Sequence, residues 1–344
     1  QRVVIIGMGG IGFGCARAVR AESGVKLVGM VDSDPQKLGK SLAELGWRPT
    51  TAGEKPPADE PGAIRVAGSL DDAIGDGADV AIITTSSDFA KVAPLVREAL
   101  ARGLHVISSC EQMIWPWYRH ASLADQIDAE AQRVGRAVLG TGVNPGYIMD
   151  VLAVSLSSMV RRVTGVICER RVDASTRRRA LQEKIGATLH PDAFEDLAQA
   201  NNIGHEGLPE SVALLGAGLG QHVAPGSVKV TLAPTLADKP TESLLGLIHP
   251  GYVTGIHHKA HWESKALTID LDLTMAVGLE SPRDVIRING PVSLHLKIGG
   301  ALPGDSATVA TLLNHVRVID RVAPGLRTML DMPVAGCRGH DASV

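Results

Sequence analysis

Gly7, Gly9 and Gly12, separated by Met8 and by Gly10 and Ile11, are the residues of this chain best suited to hold a phosphate. In the spacing G-x-G-x-x-G the first glycine permits a tight turn and the second lets the backbone approach a pyrophosphate. The third lets a helix pack closely on a strand, with the helix's first N–H groups facing the phosphates. Alone the motif is weak evidence, but its context is specific. A short apolar run at 2–6 precedes it, a helical pattern at 13–22 follows, and a second apolar run at 26–31 ends in Asp32, about 20 residues past the turn. Asp32, with Ser33 beside it, is placed to accept hydrogen bonds from the adenosine ribose, and its charge repels a 2′-phosphate. That favours NAD. Lys37, Lys40 or Arg48 could neutralise an added phosphate, so NADP remains open.

Glu111 is the candidate for proton chemistry. It lies in Ser108-Ser109-Cys110-Glu111-Gln112 after the buried run 104–107, where a carboxylate with no obvious cation nearby is costly to keep charged. The alternative is a surface glutamate opening the next helix. Cys110 has no local histidine to make it a nucleophile, so it is expected to line the cofactor at most. His257, His258 and His261 invite a metal reading, but on a strand His257 and His261 share one face and His258 the other, so no metal site is expected. His258 is the one expected to face a ligand, against the alternative of exposed sheet residues.

Strands and helices alternate through the first 142 residues, which predicts a doubly wound parallel sheet, α/β in class. Its pieces are a helix at 35–45, a surface loop at 46–62, strands at 64–66, 79–84, 104–107 and 137–139, and a helix at 89–102. Ligands of such sheets collect at the carboxyl ends of the strands. Three loops should therefore converge on one crevice: the glycine turn, Thr84-Thr85-Ser86-Ser87, and Ser108 to Glu111, with Thr84, Thr85, Ser86, Ser109 and Cys110 the candidate cofactor contacts. From 147 the pattern changes to helices near 147–160, 177–184, 192–200 and 208–216. Strands are read at 163–172, 227–232, 252–262, 266–275, 284–288 and 292–298, an α+β domain with a mixed or antiparallel sheet. Residues 304–314 read as a capped helix returning to the first domain. The expected division is 1–142 with 304–344 for the dinucleotide, and 143–303 for substrate and dimerisation.

The chain's 344 residues are too many for one comfortable core, which agrees with two domains. A net charge of −3 gives no global field toward nucleic acid or an anionic membrane. The arginine-rich stretch 161–179 is the local exception, either a solvated face or a contact for an anion. Cys15, Cys110, Cys168 and Cys337 form no C-x-x-C pair, so a reducing cytoplasm is expected. No apolar run reaches membrane-spanning length, and no signal peptide is read before the first strand.

Several segments together carry a family resemblance. They are the glycine turn with Val31-Asp32-Ser33-Asp34-Pro35, Ser109-Cys110-Glu111, Gly140-Thr141-Gly142-Val143-Asn144-Pro145-Gly146, and Arg171-Val172-Asp173-Ala174-Ser175 with Lys184-Ile185-Gly186. Near the end come Gly304-Asp305-Ser306-Ala307-Thr308-Val309-Ala310, Asn314 and Pro324-Gly325-Leu326-Arg327-Thr328-Met329. On these the chain resembles the dihydrodipicolinate reductase-like group that contains 2,4-diaminopentanoate dehydrogenase and the native amine dehydrogenases. The resemblance implies a Rossmann domain with a second α+β domain, NAD as cofactor with NADP possible, and a homodimer. It implies that Glu111 is the catalytic glutamate, that Asn144 lies near nicotinamide and substrate, and that Thr308 helps close the pocket. Tyr147, Arg171, Asp173 and His258 complete the candidate substrate pocket. The expected reaction is reversible oxidative deamination of a small amine or diamino acid to a ketone or aldehyde plus ammonia. Two alternatives stay open: a related oxidoreductase reducing C=N, C=O or C=C with Glu111 merely orienting substrate, and a non-catalytic NAD(H)-binding protein.

Overall fold

The structure is a computed structural model and describes residues 1–20, 24–46 and 63–337. The chain forms two compact units, Gln1–Val143 with Gly304–Val344, and Asn144–Pro303. In chain order the first unit contributes β1 (Arg2–Ile6), α1 (Gly10–Val19), β2 (Lys26–Val31), β3 (Val66–Ala67), α2 (Leu70–Ile74), β4 (Val80–Ile83), α3 (Phe89–Ala101) and β5 (His105–Ser108). A 3-10 turn (Glu111–Ile114), α4 (Trp117–Arg133) and β6 (Ala137–Gly140) complete its first pass. The second unit holds α5 (Val151–Ser157), β7 (Gly165–Asp173), α6 (Arg179–Lys184), α7 (Pro191–Gln199), α8 (Leu208–Gly218), β8 (Lys229–Leu236), β9 (Thr241–Ser243), β10 (Gly246–Ile248), β11 (Val253–Glu263), β12 (Thr268–Ala276), β13 (Arg283–Asn289) and β14 (Leu294–Gly299). The chain then returns to the first unit with α9 (Gly304–Val316) and β15 (Gly325–Arg327).

The first sheet has the order β15-β6-β5-β4-β1-β2-β3, and every pairing between these strands is parallel. Parallel strands with both faces covered read as unbroken apolar runs, and Val3 to Ile5 and Val80 to Ile83 are accordingly fully buried. From β1 the strand order runs one way through β2 and β3 and the other way through β4, β5 and β6. The reversal at β1/β4 is the topological switch point at which such sheets bind ligands.

Residues 35–45 do not form the expected helix. Lys37 and Lys40 make only i→i−3 bonds, to the carbonyls of Asp34 and Lys37, and Gly39 has φ +72°. The backbone there is committed elsewhere: Gly39 donates to the Val66 carbonyl and Val66 to the Lys40 carbonyl, so the segment lines β3 as two turns. The expected loop at 46–62, apart from Gly46 itself, and the last two residues of the expected helix at 13–22 fall on residues outside those described. Among the described residues no helix is long and apolar enough to cross a membrane.

The second sheet has the order β14-β13-β7-β12-β11-β8, with β7 and β12 parallel and the other neighbours antiparallel. β7, and β12 over its first half, alternate buried and half-buried residues, as a sheet with one covered face requires. α8 buries every residue from Leu208 to Gly216. One cross-strand row on the buried face is polar: His258 opposite Leu273, Leu273 opposite Arg170, Arg170 opposite Asp284. Arg170 and Asp284 are each 2% exposed and 2.6 Å apart. The second guanidinium nitrogen donates to the Leu302 carbonyl at 2.6 Å, and Leu302 N–H donates to Asp284 Oδ2 at 2.8 Å. The pair thus grips both backbone groups of the segment that leaves β14. A buried pair of this kind stands because each partner satisfies the other; removal of one leaves an uncompensated charge. Arg170→Met should lower the unfolding free energy by about 3–5 kcal/mol. Arg170→Met with Asp284→Leu should recover only part of it, since Leu302 loses both partners. Urea unfolding followed by circular dichroism measures both, and an unchanged midpoint in the single variant contradicts this account.

Candidate functional site

The Gly7 peptide joins three strand ends in the first unit. Its N–H donates to the Val31 carbonyl at the end of β2, 2.8 Å away, and its carbonyl accepts the Thr84 hydroxyl beyond β4 at 2.7 Å. A side chain at Gly7 would meet Thr85 and the Thr84 carbonyl, and its φ of +96° is one that L side chains rarely adopt. A Cβ at Gly12 would overlap the Gly7 carbonyl oxygen, so α1 can start this close to β1 only with glycine there. Gly9 differs: nothing lies within 4 Å of the position a Cβ would take. Gly9 and Gly10 are exposed, Ile11 is half-buried and the Met8 side chain packs in the core. A backbone cradle open over Gly9 at the start of α1 fits a pyrophosphate.

Asp32 closes the same edge. Its Oδ2 accepts Met8 N–H at 2.7 Å and the Lys37 ammonium at 2.9 Å, and its Oδ1 accepts Asp34 N–H at 2.9 Å. Burial pushes this carboxyl up, but the Asp34 N–H, Lys37 and Met8 N–H outweigh it and hold it below the ordinary carboxylate range. Ser33 next to it is exposed.

The neighbouring strand ends bring in the other two loops. Thr84 N–H donates to the Ile6 carbonyl and Ser109 N–H to the Ile83 carbonyl, which sets Gly7, Thr84 and Ser109 side by side along β1, β4 and β5. Thr85 is exposed and Ser86 half-buried, its hydroxyl accepting Asp88 N–H at 3.1 Å. Glu111 opens the 3-10 turn after β5 and is half-buried. Its turn is pinned on every side. Cys110 N–H donates to the Ser108 hydroxyl, Gln112 N–H to the Ser87 carbonyl, and Met113 N–H to the Cys110 carbonyl. The Gln112 side-chain oxygen takes Phe89 N–H at 3.0 Å and lies 3.0 Å from His120 Nε2. A Cβ at Gly140 would overlap the Met113 carbonyl, so β6 ends in glycine where this turn lies against it. Gln112 and His120, which sequence reasoning did not single out, are the side chains that fix the Glu111 backbone.

Cys110 is fully buried, with its thiol 3.1 Å from the Ser87 carbonyl. Burial first, and then the Glu111 charge, push the thiol well up. The expectation that Cys110 lines a cofactor is therefore corrected: its side chain belongs to the core under the turn. Thr308, half-buried in α9, accepts Val143 N–H at 3.3 Å.

In the second unit the register separates residues that the sequence grouped together. Arg171 and Asp173 project from the face of β7 opposite to Arg170, whereas His258 shares the row of Arg170. Arg171, Asp173 and His258 therefore do not form one pocket, because the two-residue period of a strand sends neighbours to opposite faces. Asp173 is a turn holder, its Oδ1 accepting Ser175 N–H, the Ser175 hydroxyl and Gly278 N–H. His257 pairs with Asp272 and His261 with Asp270. Tyr147 is exposed.

Asn144 instead meets a residue that sequence reasoning missed. Its side-chain nitrogen lies 3.1 Å from His205 Nε2, and His205 N–H donates to His258 Nδ1 at 3.4 Å. His205 is in the loop before α8, where no periodicity marks a residue. The available signal was the pair of flanking glycines, Gly204 and Gly207, both at positive φ. Burial above all, then the charge of Lys184, the neighbouring His258 and Arg170, hold His205 well below the usual histidine range. Burial likewise pushes His258 down to about 4.

A parallel sheet that reverses at β1/β4, with a glycine cradle and an acidic β2 end at that point, defines the dinucleotide-binding class of α/β fold. Within that class the chain belongs to the 2,4-diaminopentanoate dehydrogenase family, whose C-terminal domain matches residues 147–343. It is 28% identical to the 2,4-diaminopentanoate dehydrogenase of Acetoanaerobium sticklandii over 97% of this chain and 93% of that protein. An amine dehydrogenase of Streptomyces virginiae is 25% identical over 50% of this chain and 46% of its own. In structure the chain is similar to an amine dehydrogenase from Mycobacterium smegmatis, with a TM-score of 0.83 and 21% identity over 98% of this chain and 97% of that one.

Gly9→Ala places its methyl group in the open cradle, so cofactor affinity should fall by about tenfold or more while the melting temperature stays near wild type. Titration of a folded variant with NADH checks it; unchanged binding removes the cradle assignment. The histidines give a pH dependence of stability. His258 is neutral when folded until about pH 4, whereas the unfolded residue protonates near 6.5. Between those values the unfolded chain binds the extra proton, so stability falls as pH drops through that window, by on the order of 3 kcal/mol at its lower end. Urea midpoints at pH 7 and pH 5 should differ in that direction, and His258→Asn should reduce the difference.

Proposed function

We propose that the chain is an NAD(P)-dependent amine dehydrogenase that converts a small amine or diamino acid to the ketone or aldehyde plus ammonia, and runs in reverse as reductive amination. One observation carries this reading. Glu111 stands on a turn fixed to the strand ends that also hold the glycine cradle, in a chain of the diaminopentanoate dehydrogenase family. The nicotinamide, when bound, supplies the hydride acceptor. The rest falls to the chain's own groups. A carbon bearing nitrogen gives up hydride only when the nitrogen lone pair is free, so a base must first take the ammonium proton. Glu111 is that base. As a carboxylate it also stabilises the cationic iminium and activates the water that attacks it, releasing ammonia. Asn144, oriented through His205, is assigned to substrate and nicotinamide positioning. A substrate among amines and diamino acids is supported by what two relatives are called, 2,4-diaminopentanoate dehydrogenase and amine dehydrogenase. The unbridged cysteines agree with a reducing cytoplasm, and the half-exposed face of the second unit's sheet is where a homodimer would form.

Glu111→Gln keeps the shape of the side chain but cannot take the ammonium proton. Amine oxidation and reductive amination should both fall by about 10² or more, the usual scale of general-base help, while NADH binding stays near wild type. A panel of short amines, diamines and amino acids at alkaline pH, followed by NADH or NADPH formation, supplies the assay. Turnover of alcohols or cyclic amines alone would replace this reading with another oxidoreductase, and tight NADH binding without turnover would replace it with a binding protein.

A further inference from the structure

An aspartate at the end of β2 selects against NADP when its charge is unopposed and its oxygens are free for the ribose. Neither condition holds here. Asp32 spends Oδ2 on Met8 N–H and Lys37 and Oδ1 on Asp34 N–H. Its side chain is 10% exposed and that of Lys37 28%, so this ion pair sits at the rim of the cradle and not out in solvent. Lys37 is also not an arbitrary surface lysine. Its N–H donates to the Asp34 carbonyl, its own carbonyl accepts Lys40 N–H, and Gly39 N–H is tied to Val66 on β3. The turn that displaces the expected helix therefore delivers this ammonium to the β2 end. There it lies 2.9 Å from Asp32 and 3.7 Å from Asp34.

We propose that Lys37 sets cofactor choice, cancelling the Asp32 charge and turning to bind the 2′-phosphate, so that this chain takes NADP(H) as well as NAD(H). The inference rests on the dinucleotide reading of the glycine cradle. With Lys37 in place the cluster of Asp32, Asp34 and Lys37 carries one negative charge fewer than the two carboxylates alone, and a phosphate dianion gains a charge-assisted bond from the ammonium. For NAD the same pair leaves Asp32 enough acceptor capacity for a ribose hydroxyl, since a carboxylate offers about four lone-pair sites. Lys37 and Asp32 thus act together, and loss of the lysine alone should restore ordinary discrimination against the phosphate.

The test is fluorescence titration of the full chain with NADH and with NADPH, in parallel, at low salt. Wild type should bind the two within about tenfold. Lys37→Met should weaken NADPH by about tenfold or more and NADH by less than about threefold, while Lys37→Arg should keep the wild-type ratio. Asp32→Ser added to Lys37→Met should recover NADPH binding, because the repulsion goes with the carboxylate. The proposal is overturned if wild type binds NADPH more than about 100-fold weaker than NADH, or if Lys37→Met shifts both cofactors equally. Should Lys37→Met not fold, the salt dependence of wild type decides: a steeper loss for NADPH supports the lysine contact, and equal slopes overturn it. Binding of neither cofactor would overturn the cradle reading itself, an outcome distinct from either result above.

Discussion

The binding edge of the first unit depends on how closely α1 approaches the end of β1. That approach is made at one peptide. Gly7 gives its N–H to β2 and its carbonyl to Thr84 beyond β4, and Gly12 has no Cβ to collide with that carbonyl. A single added carbon at Gly12 would push the start of the helix off the Gly7 carbonyl and so off the sheet. The Met8 N–H that follows is fixed by Asp32, so the glycine turn and the end of β2 are parts of one hydrogen-bonded unit. The same logic extends sideways: Thr84 and Ser109 hang from the last carbonyls of β1 and β4, and the Glu111 turn hangs from Ser108 and Ser87.

The second unit is held by different means. Its buried face carries polar side chains, and Arg170 with Asp284 is tolerable there because each partner meets the other and each makes a further bond to the Leu302 backbone. A hydrophobic pair of equal volume could supply comparable stability but could not hold both backbone groups of the departing chain. The geometry of that exit therefore depends on this pair as much as on packing.

The glycine spacing, Asp32 and the parallel alternation were legible in the sequence because each is a local signature with a fixed spacing. The place of Glu111 after a buried strand was legible, but Gln112 and His120, whose side chains meet beside its turn, are eight residues apart and come together only through the turn of the chain. The segment 35–45 failed for a physical reason: helical composition lost to two long-range backbone bonds with β3, which no local pattern records. Arg171, Asp173 and His258 looked like one cluster because charge and imidazole stand out in a sequence, whereas the faces they occupy are set by register. His205 was invisible for the opposite reason, a lone histidine in an aperiodic loop that matters through its contact with Asn144.

That imidazole bears on which group can take the proton. His205 and His258 are both held neutral, chiefly by burial, His205 also by Lys184 and Arg170, so each resists protonation. The charge produced by each candidate base decides further. In the proposed reaction an imidazole that accepted the ammonium proton would become a cation while the substrate turned into a cationic iminium, and two like charges close together oppose such a step. A carboxylate that accepts the same proton becomes neutral, and before it does so it attracts the ammonium. After the proton has passed on, the restored carboxylate attracts the iminium. The histidines of the second unit are thus suited to fixing a carboxamide such as Asn144 with a neutral acceptor, and on the proposed function the charge-changing step falls to a carboxylate, the part proposed for Glu111.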